Sequence, residues 1–340
     1  MNLAEMPKFP LAQLPTPLMP ARNLSAALGG PEILIKRDDL TGLALGGNKT
    51  RKLEYLIADA QAQGATHVIT MGAVQSNHCR QTAAAARLAG LNCVLVMNAS
   101  SDDPDIQGNL LLDHILGADT RVITDKTKRK ETALHVAEEL KEQGYVPYQI
   151  PGGGSNAIGA ASYVAATYEL MTQIIEQGAS PSRLYTTSSA SGGTHAGLAL
   201  GAKLAGVPYA VHGVSIEGPA DELKSIITPL ANDTAEYLGL DIRLDESDVI
   251  IHDQYTGPAY GVATEECLQA IRMCARTEAL LLDPVYTAKT MSGMIDHIRT
   301  GEIGSDETVV FLHTGGAPAV FADTDSIIPA MQGSGIQEKP

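Results

Sequence analysis

The sequence predicts an α/β protein with two open, twisted, mostly parallel sheets flanked by helices. Three observations point there. Short apolar runs of strand length, among them His67–Met71, Cys93–Met97 and Leu184–Thr187, alternate with segments of helical period. Small or polar turns follow those runs at their carboxyl ends, where open parallel sheets bind ligands. The alternation lapses after Gly178 and then restarts, which makes two blocks.

Taken in order, residues 1–30 hold Pro7, Pro10, Pro15, Pro17 and Pro20 and are expected to wrap the surface in extended form. Glu32–Asp39 reads as a short strand ending in charge. Gly46–Tyr55 opens a helix that runs to about Gly64, with Leu53, Leu56, Ile57 and Ala60 in helical period. After the His67 strand, Gln75–His78 is a turn before an alanine-rich helix, Arg80–Leu88. Strand Cys93–Met97, helix Leu110–Leu116, strand Arg121–Thr124, helix Thr132–Gln143 and strand Val146–Ile150 follow. Gly152–Asn156 is a glycine loop leading into a long helix through Tyr163, Tyr168 and Met171.

The second block begins with strand Leu184–Thr187, the loop Ser188–Thr194 and helix Ala196–Ala205. Ala210–Ile216 is a strand, and 218–247 is a helix with loops. Gly257–Gly261 is a turn, Thr264–Thr277 a helix, Asp283–Thr287 a turn and Met291–Arg299 a helix. Val309–Leu312 is the last strand, and the polar tail after Asp323 is expected to fray.

Composition narrows the function. A 340-residue chain with 44% hydrophobic residues can bury large cores. Its formal net charge of −15, with no basic stripe, disfavours a nucleic-acid backbone partner, and none is expected. The 4 cysteines, Cys79, Cys93, Cys267 and Cys274, show no C-x-x-C spacing. No apolar run approaches ~18 residues and the first ten residues lack the build of a signal peptide. A reduced cytoplasmic compartment and no membrane are the expectation.

Three turns carry chemistry. Gly46-Gly47-Asn48-Lys49 places a lysine at a helix start, which taken alone reads more readily as a solvated surface lysine; the spacing of a P-loop is missing. Ser189, Ala190, Ser191, Gly192, Gly193 and Thr194 put backbone N–H groups and hydroxyls at a helix N-terminus, an anion cup suited to one phosphate group. Helix capping accounts for Ser76 or Asn77, but not for Gln75, Ser76, Asn77 and His78 in a row. Tyr260 and Tyr286 sit in turns beside proline and glycine, as positioned hydroxyls. His195, His252 and His313 lack metal-ligand spacing and are read as structural, so no metal is expected. A lysine, a phosphate cup and polar turns facing one crevice suit a pyridoxal 5'-phosphate enzyme acting on a small amino acid.

The order of these motifs is also familiar. Gly-Gly-Asn-Lys-Thr-Arg-Lys-Leu-Glu at 46–54, Gln-Ser-Asn-His-x-Arg-Gln at 75–81, Gly-Gly-Ser-Asn at 153–156, Gly-Gly-Thr-His-Ala-Gly-Leu at 192–198, Gly-Pro-Ala-Tyr-Gly at 257–261, Leu-Asp-Pro-Val-Tyr at 282–286 and His-Thr-Gly-Gly-Ala-Pro-Ala at 313–319 span nearly the whole chain. The sequence thereby resembles the D-cysteine desulfhydrase / 1-aminocyclopropane-1-carboxylate (ACC) deaminase family, fold-type II pyridoxal-phosphate enzymes of the tryptophan synthase β-like group. The resemblance implies that Lys49 holds the cofactor as a Schiff base and that Ser76 binds the substrate carboxylate or assists proton transfer. It implies Asn77 near the cofactor's phenolic oxygen, Ser189–Thr194 around its phosphate, and Thr314 and Thr287 near the pyridine nitrogen. Tyr260 and Tyr286 would face the substrate beside Gln75 and His78. It further implies a small domain, 52–165, inserted in a large one made of 1–51 and 166–340, and a homodimer.

One position separates the subfamilies. ACC deaminases carry a glutamate directly after the Asp-Pro-Val-Tyr tyrosine; here that residue is Thr287. A carboxylate would keep the pyridine nitrogen protonated and strengthen the electron sink, whereas a hydroxyl does so much less. His78 likewise follows the desulfhydrase pattern, where deaminases tend to have glutamine. The expectation is therefore a carbon–sulfur lyase that performs α,β-elimination, with D-cysteine the leading substrate. L-cysteate, released as sulfite by a sulfo-lyase, is the rival; ACC deamination ranks lower, and a silent amino-acid-binding homologue lowest.

Overall fold

The computed structural model describes residues 3–332. Its strands are β1 (Leu18–Pro20), β2 (Glu32–Lys36), β3 (His67–Ala73), β4 (Asn92–Asn98), β5 (Asp119–Ile123), β6 (Pro147–Gln149), β7 (Pro181–Ser188), β8 (Ala210–Ser215), β9 (Ile250–His252) and β10 (Thr308–Leu312). They form a 6-stranded sheet in the order β1-β2-β10-β7-β8-β9 and a 4-stranded sheet in the order β5-β4-β3-β6. Every pairing is parallel except β1 with β2. The expected α/β class and its two mostly parallel sheets are what the chain forms.

Helices cover both sheets because their strands are apolar on both faces. Leu184, Tyr185, Val309, Val310 and Phe311 are all fully buried, and so are Val68, Leu95 and Val96 in the smaller sheet. Burying each such side chain stabilises the fold by roughly 1.5–3 kcal/mol. The Ala157–Gln177 and Gly193–Ala205 helices lie unusually close. A Cβ on Gly197 would fall 2.2 Å from the Ala160 carbonyl, and one on Gly201 would fall 2.4 Å from Thr167 Oγ1. Glycine at both positions therefore sets how near the second helix, and the loop in front of it, can approach.

Buried charge ties the N-terminal segment to the long helix. Arg51 bonds Asp38 through Nε and Nη2 at 2.9 and 2.8 Å, and bonds Glu169 through Nη1 and Nη2 at 3.0 and 2.8 Å. Lys36 Nζ reaches Glu169 at 2.5 Å, Gln173 at 2.6 Å and the Thr16 carbonyl at 2.7 Å. Tyr163 and Thr16 hydroxyls donate to Asp38 at 2.7 and 2.8 Å. Two cations meet two carboxylates, so formal charge balances where water is excluded.

Several elements depart from the sequence reading. A helix, Arg22–Leu28, interrupts the stretch expected to be extended. The stretch between Pro20 and Pro31 is free of proline, and fully buried Leu24 gives the helix its inner face. The helix after Tyr286 begins at Thr287, four residues before the expected Met291, because Asp283 caps it. Part of the tail expected to fray, Thr324–Gln332, is helical and buries Ile327. The cuts at 51/52 and 165/166 fall within the Lys49–Ala62 and Ala157–Gln177 helices.

Candidate active site

The amino ends of five helices bear the sequence-selected residues. Lys49, Asn77, Gly193 and Thr287 each open a helix, and Asn156 caps a fifth by accepting from Gly159 N at 2.9 Å. Each such end carries partial positive charge and N–H groups without an intrahelical acceptor, the kind of place that suits an anion. Cross-bonds bring several of them together. Asn48 Nδ2 donates to Thr194 Oγ1 at 3.0 Å, and Asn48 N donates to the Thr314 carbonyl at 3.0 Å. Thr50 N and its hydroxyl both donate to Gln81 Oε1, at 2.8 and 2.9 Å.

The chain enters Lys49 through a run of left-handed residues: Ala44 at φ 42°, Leu45 at 71°, Gly46 at 67° and Gly47 at 129°. Non-glycine residues in this region cost on the order of 1–3 kcal/mol each, which only a well-determined surrounding sustains. A Cβ on Gly46 would lie 1.9 Å from the Asp39 carbonyl, and one on Gly315 would lie 2.8 Å from Gly47 Cα. The lysine loop and the 313–316 turn after β10 thus pack backbone against backbone.

Lys49 has a close companion that sequence reasoning missed. Lys52 lies one helical turn on, is fully buried, and its amine acts on that of Lys49. Burial lowers the Lys49 amine to about 8, against which the Lys52 contact acts upward. Burial, then the charge on Lys49, pushes Lys52 far below its ordinary value. Lys52 Nζ also donates to the Gly153 carbonyl at 3.1 Å and to Ser155 Oγ at 3.3 Å. A neutral amine still has two N–H donors, so both contacts can be kept by a Lys52 whose charge burial disfavours. The i, i+3 spacing of two lysines was the available signal.

The turn selected from sequence as a phosphate cup is built from small residues. Gly193 N donates to Ser155 Oγ at 3.2 Å, and the Ser189 and Ser191 hydroxyls are 3.2 Å apart. A Cβ on Gly193 would fall 2.6 Å from Ser155 Oγ and 3.0 Å from Lys52 Nζ. The bare backbone, the helix end and the Lys52 amine therefore fit a phosphate group; Gly192 and Ala190 complete the turn. Ser155, inside the glycine loop, was not singled out from sequence.

The Gln75–His78 turn divides its work. Ser76 Oγ caps its helix by accepting from Cys79 N at 3.3 Å, which is the plainer of its two readings. Gln75 and Asn77 both bond Asn109, at 2.9 and 3.1 Å, and so fix the neighbouring turn. His78 Nε2 lies 2.8 Å from Thr70 Oγ1, whose hydroxyl donates to the Ile150 carbonyl at 2.8 Å. Thr70 must then accept, so Nε2 carries the proton and Nδ1 is an acceptor; no partner for it is found among the described residues. Burial, then Lys49 and Lys52, keep this imidazole neutral.

Across the site, Tyr260 and Tyr286 hydroxyls are 2.5 Å apart. Burial, then Tyr260, raises the Tyr286 phenol well above its ordinary range, so it remains a proton donor at neutral pH. Thr287 Oγ1 donates to Asp283 Oδ1 at 2.7 Å and accepts from Asp283 N at 2.8 Å.

Against this geometry, a family description reading "Pyridoxal-phosphate dependent enzyme" matches residues 10–315. The chain belongs to that family. An ACC deaminase from Burkholderia ambifaria is 41% identical over 331 residues, covering 95% of this chain and 98% of the relative. A D-cysteine desulfhydrase from Klebsiella pneumoniae is 41% identical over 326 residues, with 94% and 97% covered. A crystal structure of an ACC deaminase homologue superposes with a TM-score of 0.89 at 38% identity, over 96% of this chain and 97% of that one. A threonine deaminase at 22% identity and TM-score 0.62 shares the fold. This fold-type II enzyme is thus a pyridoxal-phosphate-dependent lyase, and the cup, Lys49 and Lys52 are chemically suited to that cofactor. Among the described residues no helix is long and apolar enough to cross a membrane.

Proposed function

We propose that this enzyme catalyses α,β-elimination on a cysteine-like amino acid, with D-cysteine and water giving pyruvate, ammonia and hydrogen sulfide. The observation that carries this reading is the Thr287 side chain, which stands where the deaminases have a carboxylate and is engaged with Asp283 on both its donor and an acceptor side. A hydroxyl so held supplies no negative charge to a ring nitrogen. The chemistry it supports is loss of a good leaving group rather than cleavage of a cyclopropane ring.

The bound cofactor would be attached at Lys49, with Thr314, Asn77 and Thr287 lining its ring, and would supply an electron sink. The protein's residues do the rest. Lys49, released by the incoming amino acid, takes the α-proton at Nζ, a task suited to an amine lowered to about 8. Ser76 and Asn77 hold the substrate carboxylate at their helix end. Tyr286, kept protonated, gives its hydroxyl proton toward the departing sulfur while Tyr260 orients it. The carbon–sulfur bond breaks, its electron pair leaves on sulfur, and hydrolysis of the remaining enamine yields pyruvate and ammonia.

L-cysteate is the second reading. A sulfonate calls for a guanidinium or several donors, and Arg80 is fully buried with Nη2 donating to the Gly46 carbonyl at 2.7 Å. That engagement favours the thiol substrate. All four cysteines are free, which agrees with a reducing, cytoplasmic setting. The division into a 52–165 small domain and a large domain from the chain's two ends, and homodimer assembly, belong to the same proposal. The test is incubation of pure protein with D-cysteine, L-cysteine, L-cysteate and ACC, with assays for sulfide, sulfite and 2-oxo acids. Sulfide from D-cysteine supports the reading; sulfite from cysteate or 2-oxobutyrate from ACC as the dominant product overturns it.

A further inference from the structure

Arg80 is the largest fully buried side chain in the described structure, and nothing in the reaction outlined above uses it. It sits on the helix Asn77–Ala89, one turn after the residues that hold the substrate carboxylate. Its Nη2 donates to the Gly46 carbonyl at 2.7 Å. That carbonyl belongs to the run of four left-handed residues that ends just before Asn48 and Lys49. The neighbouring peptide groups of the loop are held by other partners: Gly46 N by the Leu43 carbonyl, Gly47 N by the Asp38 carbonyl and Thr41 Oγ1, and the Gly47 carbonyl by the Thr41 hydroxyl.

The rest of the guanidinium faces the Gly108–Ile115 helix. Arg80 Nε and Nη1, Asn109 Oδ1 and both carboxylate oxygens of Asp113 are buried with no hydrogen-bond partner among the described residues. Asp113 is fully buried and feels the Arg80 charge, yet the two form no ion pair within 4.0 Å. Donors on one side and acceptors on the other suit bridging solvent, which would give the cation a partner without pulling it off Gly46.

We propose that Arg80 is a positioning residue for Lys49: it pins the strained lysine loop to the helix that carries Ser76 and Asn77. One side chain thereby fixes the distance between the amine that takes the α-proton and the groups that hold the carboxylate. The loop's left-handed residues would relax if Gly46 lost this bond, and the Lys49 amine would gain water. A misplacement on the order of 1 Å in a reacting group costs about 100-fold in rate.

The inference rests on the assignment of Lys49, and its test is arranged so that the two can fail separately. Arg80→Met and Arg80→Lys are compared with the parent in cofactor-free and loaded forms. In the cofactor-free protein, the pH midpoint for labelling Lys49 with an amine reagent is read by peptide mass spectrometry. Lys52 and His78, the other titratable groups facing Lys49, are unchanged in both variants. In the loaded protein, kcat and KM are measured separately, with thermal unfolding as a control on folding. Arg80→Met should raise the Lys49 midpoint toward that of an ordinary lysine and lower kcat by about 10- to 100-fold with KM within about threefold. Arg80→Lys, which keeps a cation able to reach Gly46, should recover most of both effects. An unchanged Lys49 midpoint in a folded Arg80→Met protein overturns the proposal, as does an Arg80→Lys variant no better than Arg80→Met. If Lys49 does not carry the cofactor, Lys49→Ala will retain the visible-edge absorbance, an outcome that leaves the labelling result standing by itself.

Discussion

Asp283 and Thr287 close a ring of hydrogen bonds at the start of one helix. Asp283 Oδ1 accepts from Thr287 N at 2.8 Å and from the Thr287 hydroxyl at 2.7 Å, while Asp283 N donates back to Thr287 Oγ1 at 2.8 Å. Asp283 Oδ2 accepts from Val285 N and Tyr286 N at 3.0 and 2.9 Å. Burial pushes the carboxyl upward, and the Thr287 hydroxyl and these N–H groups act against it. The ring fixes the backbone at Tyr286 and engages the Thr287 hydroxyl as both donor and acceptor.

Replacing Thr287 by Val removes a donor and an acceptor from buried partners of similar shape. The expected loss is about 1–3 kcal/mol of stability, read by urea unfolding. Thr287→Glu brings a second carboxylate beside Asp283, and elimination from D-cysteine should fall well below that of the parent. Undiminished elimination in Thr287→Glu would remove Thr287 as the determinant of reaction type.

Lys52 is the second amine of the site, its Nζ 3.0 Å from where a Cβ on Gly193 would stand. Lys52→Met should weaken pyridoxal 5'-phosphate binding by about 10- to 150-fold, the equivalent of one charge-assisted hydrogen bond of roughly 1.5–3 kcal/mol. Cofactor titration followed at the visible edge measures it. Lys49→Ala should behave differently, binding cofactor without developing the visible-edge band and losing all turnover. Retained turnover in Lys49→Ala would defeat the whole assignment.

The sequence carried the fold's plan because strand-length apolar runs and glycine turns are local signals. Lys49, the Ser189–Thr194 turn and the 75–78 turn stand out in the sequence for the same reason, each being a polar motif at a strand-to-helix step. What was hidden depends on long-range contact. Ser155 joins the cup only because a helix packed through Gly197 and Gly201 brings residues 155 and 193 together. Lys52 is visible as spacing, but nothing local says that a lysine is fully buried. The Arg22–Leu28 helix is hidden for a different reason: prolines on both sides flank a short proline-free stretch whose one fully buried apolar residue, Leu24, finds its partners far along the chain.

The buried group around Arg51 should be the costliest to break. Arg51→Met leaves Asp38 and Glu169 in a site with Lys36 as the remaining cation. Removing one partner of a buried pair costs about 3–5 kcal/mol, because the other charges stay behind. Asp38 also holds Gly47 N through its carbonyl, so the lysine loop should loosen as well. Urea unfolding of Arg51→Met, and of Arg51→Met with Asp38→Asn, checks this. The double variant should be less unstable than the sum of the singles, and simple additivity would argue against a shared network.

Acid should destabilise the enzyme through histidines packed in and beside the larger sheet. His195 Nδ1 lies 2.7 Å from Ser188 Oγ, His212 stacks on His252 with Nδ1 and Nε2 2.9 Å apart, and His297 Nδ1 meets the Tyr185 hydroxyl at 2.6 Å. Burial, then the charge of neighbouring histidines, lowers His195 and His252 to about 4 and His212 to about 3, against 6.5 for a free imidazole. The unfolded chain therefore binds more protons than the folded one between these values and 6.5. The stability these groups contribute is complete above about pH 6.5 and is lost progressively as pH falls toward 4. Urea midpoints measured from about pH 7 down to about pH 4.5 should decline, and His252→Gln should flatten the decline by removing one proton from the balance. A midpoint that stays level across this window, or a His252→Gln slope equal to the parent's, would mean that these rings titrate in the folded protein as they do in the open chain.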